Sequence, residues 1–372
     1  MSPRRSPRPA LKPTVTFAAE ALVDFSDRLL IALGVPRAHA HTVSASLVAA
    51  NVRGVDSHGI QMLMVYIQQL RAGGINVGAV GRVASRHGAC LVYDGENGLG
   101  QVVADRCAGH AIRLARRAGL AMVVARHSNH FGTGAYWGQQ LARAGCIGIV
   151  MSNACPAVAP WQGKKARLGT NPICMAVPGA DSGRWLLDMA TTTVALGKLS
   201  HAAYLGQTTI PRSWGFLNPQ GRPTARVAAA QRGSPTPTGG YKGTGLGMMA
   251  EILCAVLSGG AMATDLPVYR TGGDPLGISH MFLAIDPRRF LPAGQFSRRT
   301  RRLEQMIQST PPAPGHREVL IAGEPEWRTG LVRQRRGVPV PTRLWARLTA
   351  IAAELGVTPP RPGRPRARRT TQ

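Results

Sequence analysis

AMVVARHSNHFGTGAYWGQQLARAGCIGIVMS, residues 121–152, sets the class of the fold. It opens on a branched apolar run, Ala121 to Ala125, and turns through polar residues and Gly132. It then takes helical spacing from Gly134 to Ala144 and closes on a second apolar run, Cys146 to Ser152. Short branched runs read as strands and the 3.6-residue spacing between them as a helix, so the pattern is α/β. Working outward, a helix is expected at Gln101 to Arg117. Strands are expected at Ala89 to Tyr93, Ile173 to Val177, Trp185 to Asp188 and Phe282 to Ile285. Towards the N-terminus, Phe17, Ala21, Leu22, Phe25, Leu29 and Leu30 give Thr16 to Gly34 a helical face, with Gly34 as its stop. A second helix runs from Pro36 to about Arg53, which makes a helical N-terminal hairpin. A further helix spans Gly243 to Leu257, Pro219 to Gly240 reads as a long loop, and Thr342 caps a closing helix that Gly356 ends near Leu355.

With 372 residues, 44% of them hydrophobic and 17% charged, the chain has enough apolar surface for two cores. The net charge of +27 invites a nucleic-acid reading. Nine of those charges sit in Pro/Arg-rich ends, residues 1–14 and 359–372, which leaves +18 scattered over the body. Few aromatics interleave with them, so stacking platforms for single strands are missing. A solvated basic surface that draws in anionic substrates is the preferred reading, and nucleic acid is not an expected partner. The six cysteines show no CxxC pair and read as buried thiols in a reducing compartment. No apolar signal core follows the N-terminus, and the most apolar stretch, Gly245 to Met262, carries Glu251 and several glycines. The expected location is cytoplasmic, with no membrane contact.

Four clusters carry side chains suited to chemistry. Arg53-Gly-Val-Asp56-Ser57-His58-Gly59 lies where the second helix gives way to a turn. An imidazole there can give or take a proton near neutral pH, Ser57 can hydrogen-bond a substrate oxygen, and Arg53 can pair with a carboxylate. His127-Ser-Asn129-His130-Phe131-Gly132 follows a strand, at the end where α/β proteins gather functional groups. Its HxxH spacing has no third ligand motif, so no metal is expected. Gly169-Thr170-Asn171-Pro172, with Asp188-Met189-Ala190-Thr191-Thr192 and Lys198, offers backbone donors for a pyrophosphate and a carboxylate to orient a partner. Gly240-Tyr241-Lys242-Gly243 begins a helix, where a lysine in the first turn makes an anion site. Each segment alone is equally a turn. The absences matter too: there is no GxGxxG opening a βαβ unit, no GxxxxGK loop and no GxSxG elbow.

In this order the clusters, together with Gly323-Glu324-Pro325-Glu326-Trp327-Arg328, resemble the type 2 malate/L-lactate dehydrogenase family over roughly Phe17 to Val357. That family includes malate, ureidoglycolate and sulfolactate dehydrogenases, diketogulonate reductase and piperideine-2-carboxylate reductase. The resemblance implies NAD or NADP bound on a non-Rossmann α/β domain, in a homodimer whose active site lies between domains. It implies hydride transfer at C2 of a small 2-hydroxy or 2-oxo carboxylic acid. His58 would be the proton donor with Ser57 beside it, His130 shares that role in some members, and the two are not ranked. Asp188 would hold the site's hydrogen bonds, and Arg53 would hold the substrate. Thr170, Asn171, Asp188, Met189, Ala190, Thr191, Tyr241, Lys242, Gly243, Gly323 and Glu324 would lie along the cofactor. Met62 stands where many members have an arginine, Ala154 stands where a Ser or Thr is common, and the Arg-rich body is also atypical.

The expected organisation follows from these readings. Basic tails at 1–14 and 359–372 flank a helical part at 15–80, a cofactor-binding α/β domain at 81–290, and a helical part at 291–358 that returns to the first. Reduction of a cyclic imino acid is the alternative within the enzyme class, and nucleic-acid binding through the tails is the alternative outside it.

Overall fold

In the computed structural model, residues 14–179, 185–267 and 273–363 are described. Most of both basic tails lies outside these. Thr14, however, opens a strand, and the Gly363 amide donates to the Thr16 carbonyl at 2.9 Å.

The chain begins with β1 (Thr14–Phe17), α1 (Ala19–Ala32), α2 (Arg37–Val52) and α3 (Leu63–Arg71). β2 (Arg82–His87) and β3 (Cys90–Asp94) follow. Then α4 (Gly100–Ala118), β4 (Leu120–Ser128), α5 (Gly134–Arg143) and β5 (Ile147–Ser152) alternate as their sequence predicts, before β6 (Ile173–Ala176) and β7 (Leu186–Met189). A small lobe holds α6 (Leu196–Tyr204), β8 (Phe216–Leu217), β9 (Pro223–Thr224), α7 (Val227–Ala230) and β10 (Ser234–Pro235). The remainder is α8 (Tyr241–Glu251), β11 (Ile278–Ile285), α9 (Gln295–Gln308), α10 (Glu324–Arg336), β12 (Val338–Pro341) and α11 (Thr342–Glu354).

Seven strands form one sheet in the order β2-β3-β4-β11-β5-β6-β7, in which β3 and β4 alone pair in parallel. Side chains alternate across it as the two-residue period requires. Ala121, Val123, Ala125, Val150, Phe282 and Ala284 pack on one face against α4 and α5, while Val124, Met151 and Met281 meet Ala250 and Cys254 on the other. A second core gathers α1, α2, α3 and α11 with β1 and β12, around Phe17, Phe25, Leu47, Leu63 and Leu348. Leu99 and Val102, at the start of α4, belong to this second core, whereas Val103, Ala104 and Cys107 belong to the sheet core. α4 therefore joins the two. Each fully buried leucine or phenylalanine contributes about 1.5–3 kcal/mol by leaving water.

Several sequence expectations need correction. Thr16 and Phe17 are not helical. They extend as part of β1, because β12 offers an antiparallel partner and Phe17 reaches the core from there. The segment 219–240 is not a plain loop: β9, α7 and β10 close a three-stranded sheet over Phe216, Val227 and Ala230, which pack on Leu199. The helix expected through Leu257 is α-helical only to Glu251, and Ile252–Val256 widen into a π turn. Pro341, not Thr342, precedes the first turn of α11. Five cysteines are buried, but Cys90 is exposed at the start of β3. Among the described residues no helix is long and apolar enough to cross a membrane.

α4 starts against the turn after β4. A Cβ on Gly100 would lie 2.1 Å from the Asn129 carbonyl oxygen and 2.4 Å from that of His130. Gly100→Ala would ordinarily gain about 1 kcal/mol of helix propensity. Here the overlap with fixed backbone should dominate and cost about 1–3 kcal/mol net. The urea midpoint should fall with an unchanged slope, and a stabilised variant would disprove the close approach.

Candidate active site

The turn that carries His58 is built by a clamp. After α2, Gly54 takes a left-handed φ of +82° and the chain makes a 3-10 turn, Asp56–His58. Both oxygens of Asp56 accept from Arg333 of α10, at 2.6 and 2.9 Å, and Asp56 also accepts from the Asn51 side chain at 2.7 Å. Asn51 in turn accepts the Ile60 amide at 2.8 Å. Gly59 lies so close to the Asn51 amide that a Cβ would sit 2.1 Å from its oxygen, which is why the residue after His58 has no side chain. Ser57 is buried and its Oγ is 3.0 Å from His58 Nδ1. The start of α6 presses on it, since a Cβ on Gly197 would meet the Ser57 Cβ at 2.8 Å.

The second turn follows β4. The Asn129 amide donates to the Gly98 carbonyl at 2.8 Å and to Asn97, fixing the backbone that presents His130. Phe131 stacks on the His280 ring, with centroids 4.6 Å apart and planes 6° from parallel. His280 itself bridges Ser152 and Ser128, each at 2.9 Å, tying three strands together beneath the turn. His127 points elsewhere: its φ is +49° and its Nδ1 lies 3.1 Å from both oxygens of Asp94. The two histidines of the HxxH segment thus diverge. Among the described residues no group of three or more His, Cys, Asp or Glu side chains is placed to hold a metal.

The two turns bring His58 and His130 together, their rings stacked with centroids 5.7 Å apart and planes at 22°. Burial lowers the pKa of His58 to about 4. Burial, reinforced by the neighbouring His58 and His280, lowers that of His130 to about 3. Both rings are therefore neutral at pH 7. Two residues of two further helices stand behind His130. Tyr66 of α3 has its hydroxyl 2.7 Å from His130 Nδ1, and Gln101 of α4 donates to that hydroxyl at 2.8 Å. Neither was singled out from the sequence. Their only signal there is a tyrosine and a glutamine on otherwise apolar helix faces.

Asp188, at the end of β7, accepts the Ala135 amide at 2.8 Å, five residues beyond His130. Its side chain sits in a recess that solvent reaches, although protein atoms crowd it on all sides. That crowding raises its pKa to about 6, against the amide and Arg53, which lower it. Arg53 is desolvated, its pKa lowered by burial, with Glu326 and Asp188 as the nearest favourable charges. Its Nε is buried without a hydrogen-bond partner. Arg53, Asp188 and Glu326 thus lie within electrostatic reach of one another.

The remaining predicted residues form a second wall. Thr191 donates through its amide and its hydroxyl to the Thr170 carbonyl, at 2.9 and 3.1 Å. Asn171, with φ +36° and no exposure, has its side chain engaged by the Ala154 amide, the Gly247 carbonyl and Glu251. It shapes the wall from within. Met189 and Ala190 continue from Asp188, half-buried. Gly243 is buried against Thr238, while Tyr241 and Lys242 are exposed at the first turn of α8, with the Trp161 ring 5.8 Å from that of Tyr241. Gly323 precedes α10 with φ +84°, and Glu324 is buried, accepting from Gln308, the Ile321 amide and Arg328. Glu324 therefore anchors the first turn of α10, which also carries Glu326 near Arg53.

Comparison with known proteins gives a consistent picture. A family profile described as malate/L-lactate dehydrogenase matches residues 17–349. The chain is 36% identical to a malate dehydrogenase of Pyrococcus horikoshii over 346 residues, covering 91% of this chain and 95% of that protein. It is 37% identical to a (2R)-3-sulfolactate dehydrogenase (NADP(+)) of Chromohalobacter salexigens over 264 residues, 70% of this chain and 78% of that one. The solved malate dehydrogenase structure from Pyrococcus horikoshii superposes with a TM-score of 0.86 at 34% identity, over 93% of this chain and 97% of its own.

The buried imidazoles set a pH dependence of stability. His280, fully buried with its pKa lowered to about 3 by burial, binds fewer protons when folded than when unfolded, between that value and the ordinary 6.5. Its contribution is present above 6.5 and is lost as pH falls. His58 and His130 act in the same sense. Asp188, raised to about 6, opposes them, since its contribution is lost as pH rises from about 4 to 6. With three groups against one, stability should fall on acidification from about pH 6.5 to 4, each unmatched proton weighing about 1.4 kcal/mol per pH unit. Urea unfolding at pH 7 and pH 5 measures the slope, which His280→Gln should flatten. A slope of opposite sign would refute the neutral assignment.

Proposed function

The chain belongs to the malate/L-lactate dehydrogenase family, and from that membership we propose that the stacked His58 and His130, with Arg53 and Asp188, form the centre at which it works. It is an oxidoreductase, a dehydrogenase that uses NAD or NADP and acts on the hydroxyl group of small 2-hydroxy acids. The observation that carries the assignment of the centre is the pair of neutral imidazoles 5.7 Å apart, beside an arginine whose Nε lacks a partner. A small carboxylic acid supplies what that recess lacks: a carboxylate for Arg53 and a hydroxyl for an imidazole.

The residues present fit a nicotinamide dinucleotide. Asp188 is reachable in a crowded recess beside Arg53, and Lys242 stands exposed at the N-terminus of an eleven-residue helix, where backbone amides and a cation favour a pyrophosphate. The cofactor, when bound, accepts or supplies the hydride at C2. Thr170, Met189, Ala190 and Thr191 would line its path, and Asn171, Gly243, Gly323 and Glu324 would hold that lining from behind. A mainly antiparallel sheet, in which only β3 and β4 are parallel, supports a non-Rossmann mode of binding.

In the oxidative direction a neutral imidazole takes the proton of the substrate hydroxyl as the C2–H bond breaks. In the reductive direction it must first be charged, which the substrate's own carboxylate favours by restoring a negative neighbour. Arg53 orients that carboxylate. Met62, where many relatives by the sequence resemblance carry arginine, is almost fully buried in the helical core, so the cation on this side is Arg53. We further propose a homodimer located in the cytoplasm. Met248, Ile252 and Val256, each about half exposed along α8 and its π turn, are consistent with a covered face, and five buried free thiols with a reducing compartment. The division into a helical part at 15–80 and 291–358 around a cofactor-binding part at 81–290 is supported by the two separate cores.

The test is turnover of a panel of 2-hydroxy, 2-oxo and cyclic imino acids with NAD and NADP, followed by cofactor absorbance. At least one 2-hydroxy acid should react. His58→Ala should lower kcat by about 100-fold or more while cofactor binding stays near that of the wild type. Turnover of a cyclic imino acid alone, or an unimpaired His58→Ala enzyme, would reject the assignment.

A further inference from the structure

We propose that Gln101 and Tyr66 form a one-way chain of donors that fixes His130 in the neutral tautomer with its hydrogen on Nε2. His130 is thereby a permanent hydrogen-bond donor in the site, and His58 is the ring that exchanges the proton. The catalytic half of this inference rests on the function proposed above; the tautomer does not.

The direction of each bond follows from what each group is able to do. A backbone amide only donates, and the Gly132 amide points at His130 Nδ1 from 3.3 Å. At that length the contact favours a lone pair on Nδ1 without fixing it. The Tyr66 hydroxyl lies 2.7 Å from the same Nδ1 and has one hydrogen to give. The Gln101 Nε2, also a donor only, lies 2.8 Å from that hydroxyl oxygen. Two acceptors lie within reach of the hydroxyl hydrogen, Nδ1 at 2.7 Å and the His130 carbonyl at 3.5 Å, and with the oxygen accepting from Gln101 the hydrogen goes to the much shorter contact, Nδ1. Tyr66 and Gln101 are buried, so water does not compete for these bonds, and Tyr66 stays protonated because burial pushes its pKa far up. A neutral ring with two donors on Nδ1 carries its only hydrogen on Nε2.

His58 is held differently. Its Nδ1 faces Ser57 Oγ at 3.0 Å, and a serine hydroxyl can turn to donate or to accept. That partner tolerates either tautomer and the charged ring, as a proton-exchanging group needs. Two histidines that the sequence leaves equivalent thus differ in role because of what stands behind them. Tyr66 and Gln101 are positioning residues, acting on the substrate only through His130. A fixed donor aimed at a developing alkoxide is worth about 100-fold or more in rate.

Nitrogen NMR of the full-length protein labelled with 15N-histidine, at neutral pH and without cofactor, reads the tautomer directly. The His130 signals are identified by their loss in His130→Gln. We expect a protonated Nε2 and an unprotonated Nδ1 in the wild type, and a mixture in Tyr66→Phe. A wild-type proton on Nδ1, or a charged ring, would overturn the proposal. In kinetics, His130→Gln keeps an N–H donor and should retain turnover within about tenfold of the wild type, whereas His58→Gln should lose about 100-fold or more. Equal losses in the two would overturn the division of roles. If no 2-hydroxy acid reacts while the Nε2–H signal is found, the lock stands and the functional reading falls.

Discussion

The contact on which this molecule turns is the approach of the first residue of α4 to the carbonyls of Asn129 and His130, close enough that only a glycine fits. α4 contributes side chains to both hydrophobic cores, so this contact fixes the helical layer against the sheet at one point. The residue after that glycine is Gln101, which reaches Tyr66, and through it His130. A single tight backbone contact therefore determines both how the layers meet and where an imidazole faces. Loosening it by the width of a methyl group would disturb packing and chemistry together.

The electrostatic character of the site follows from the same packing. Two imidazoles are pressed into an environment that disfavours their charge, and a carboxylate nearby is pushed in the opposite direction by crowding. The arginine of this recess, Arg53, is itself desolvated and incompletely hydrogen-bonded. Such a recess is poorly satisfied by water and well satisfied by a small anion bearing a hydroxyl. The cost of holding these groups is met elsewhere, by buried apolar side chains and by the Asn153, Asn171 and Glu251 network under the second wall.

Much of this was legible in the chain before any coordinates. The alternation from 121 to 152 gave strands and helices almost at their observed bounds, because buried strands and amphipathic helices leave distinct periods. Of the four polar clusters, the first two bring His58 and His130 together, since residues beside glycine turns at strand and helix ends are those a fold leaves open. What could not be read is whatever depends on a distant partner. β1 is extended because β12 pairs with it, and nothing within residues 14–17 announces that. Asn171 and Glu324, read in sequence as cofactor residues, have side chains engaged by internal partners that only the fold supplies. The ranking of His58 and His130 depends on Tyr66 and Gln101, which come from α3 and α4 and carry no motif.

The grip of Arg333 on Asp56 has a consequence for how the molecule comes into being. The turn that bears His58 is made early in the chain, but the guanidinium that holds it belongs to α10. During synthesis residues 1–285, which carry all seven strands of the sheet, can leave the ribosome and still lack the brace that orients this imidazole. Prematurely terminated products, however well they fold, are expected to be chemically silent, so the last helices act as a completeness check on every copy made.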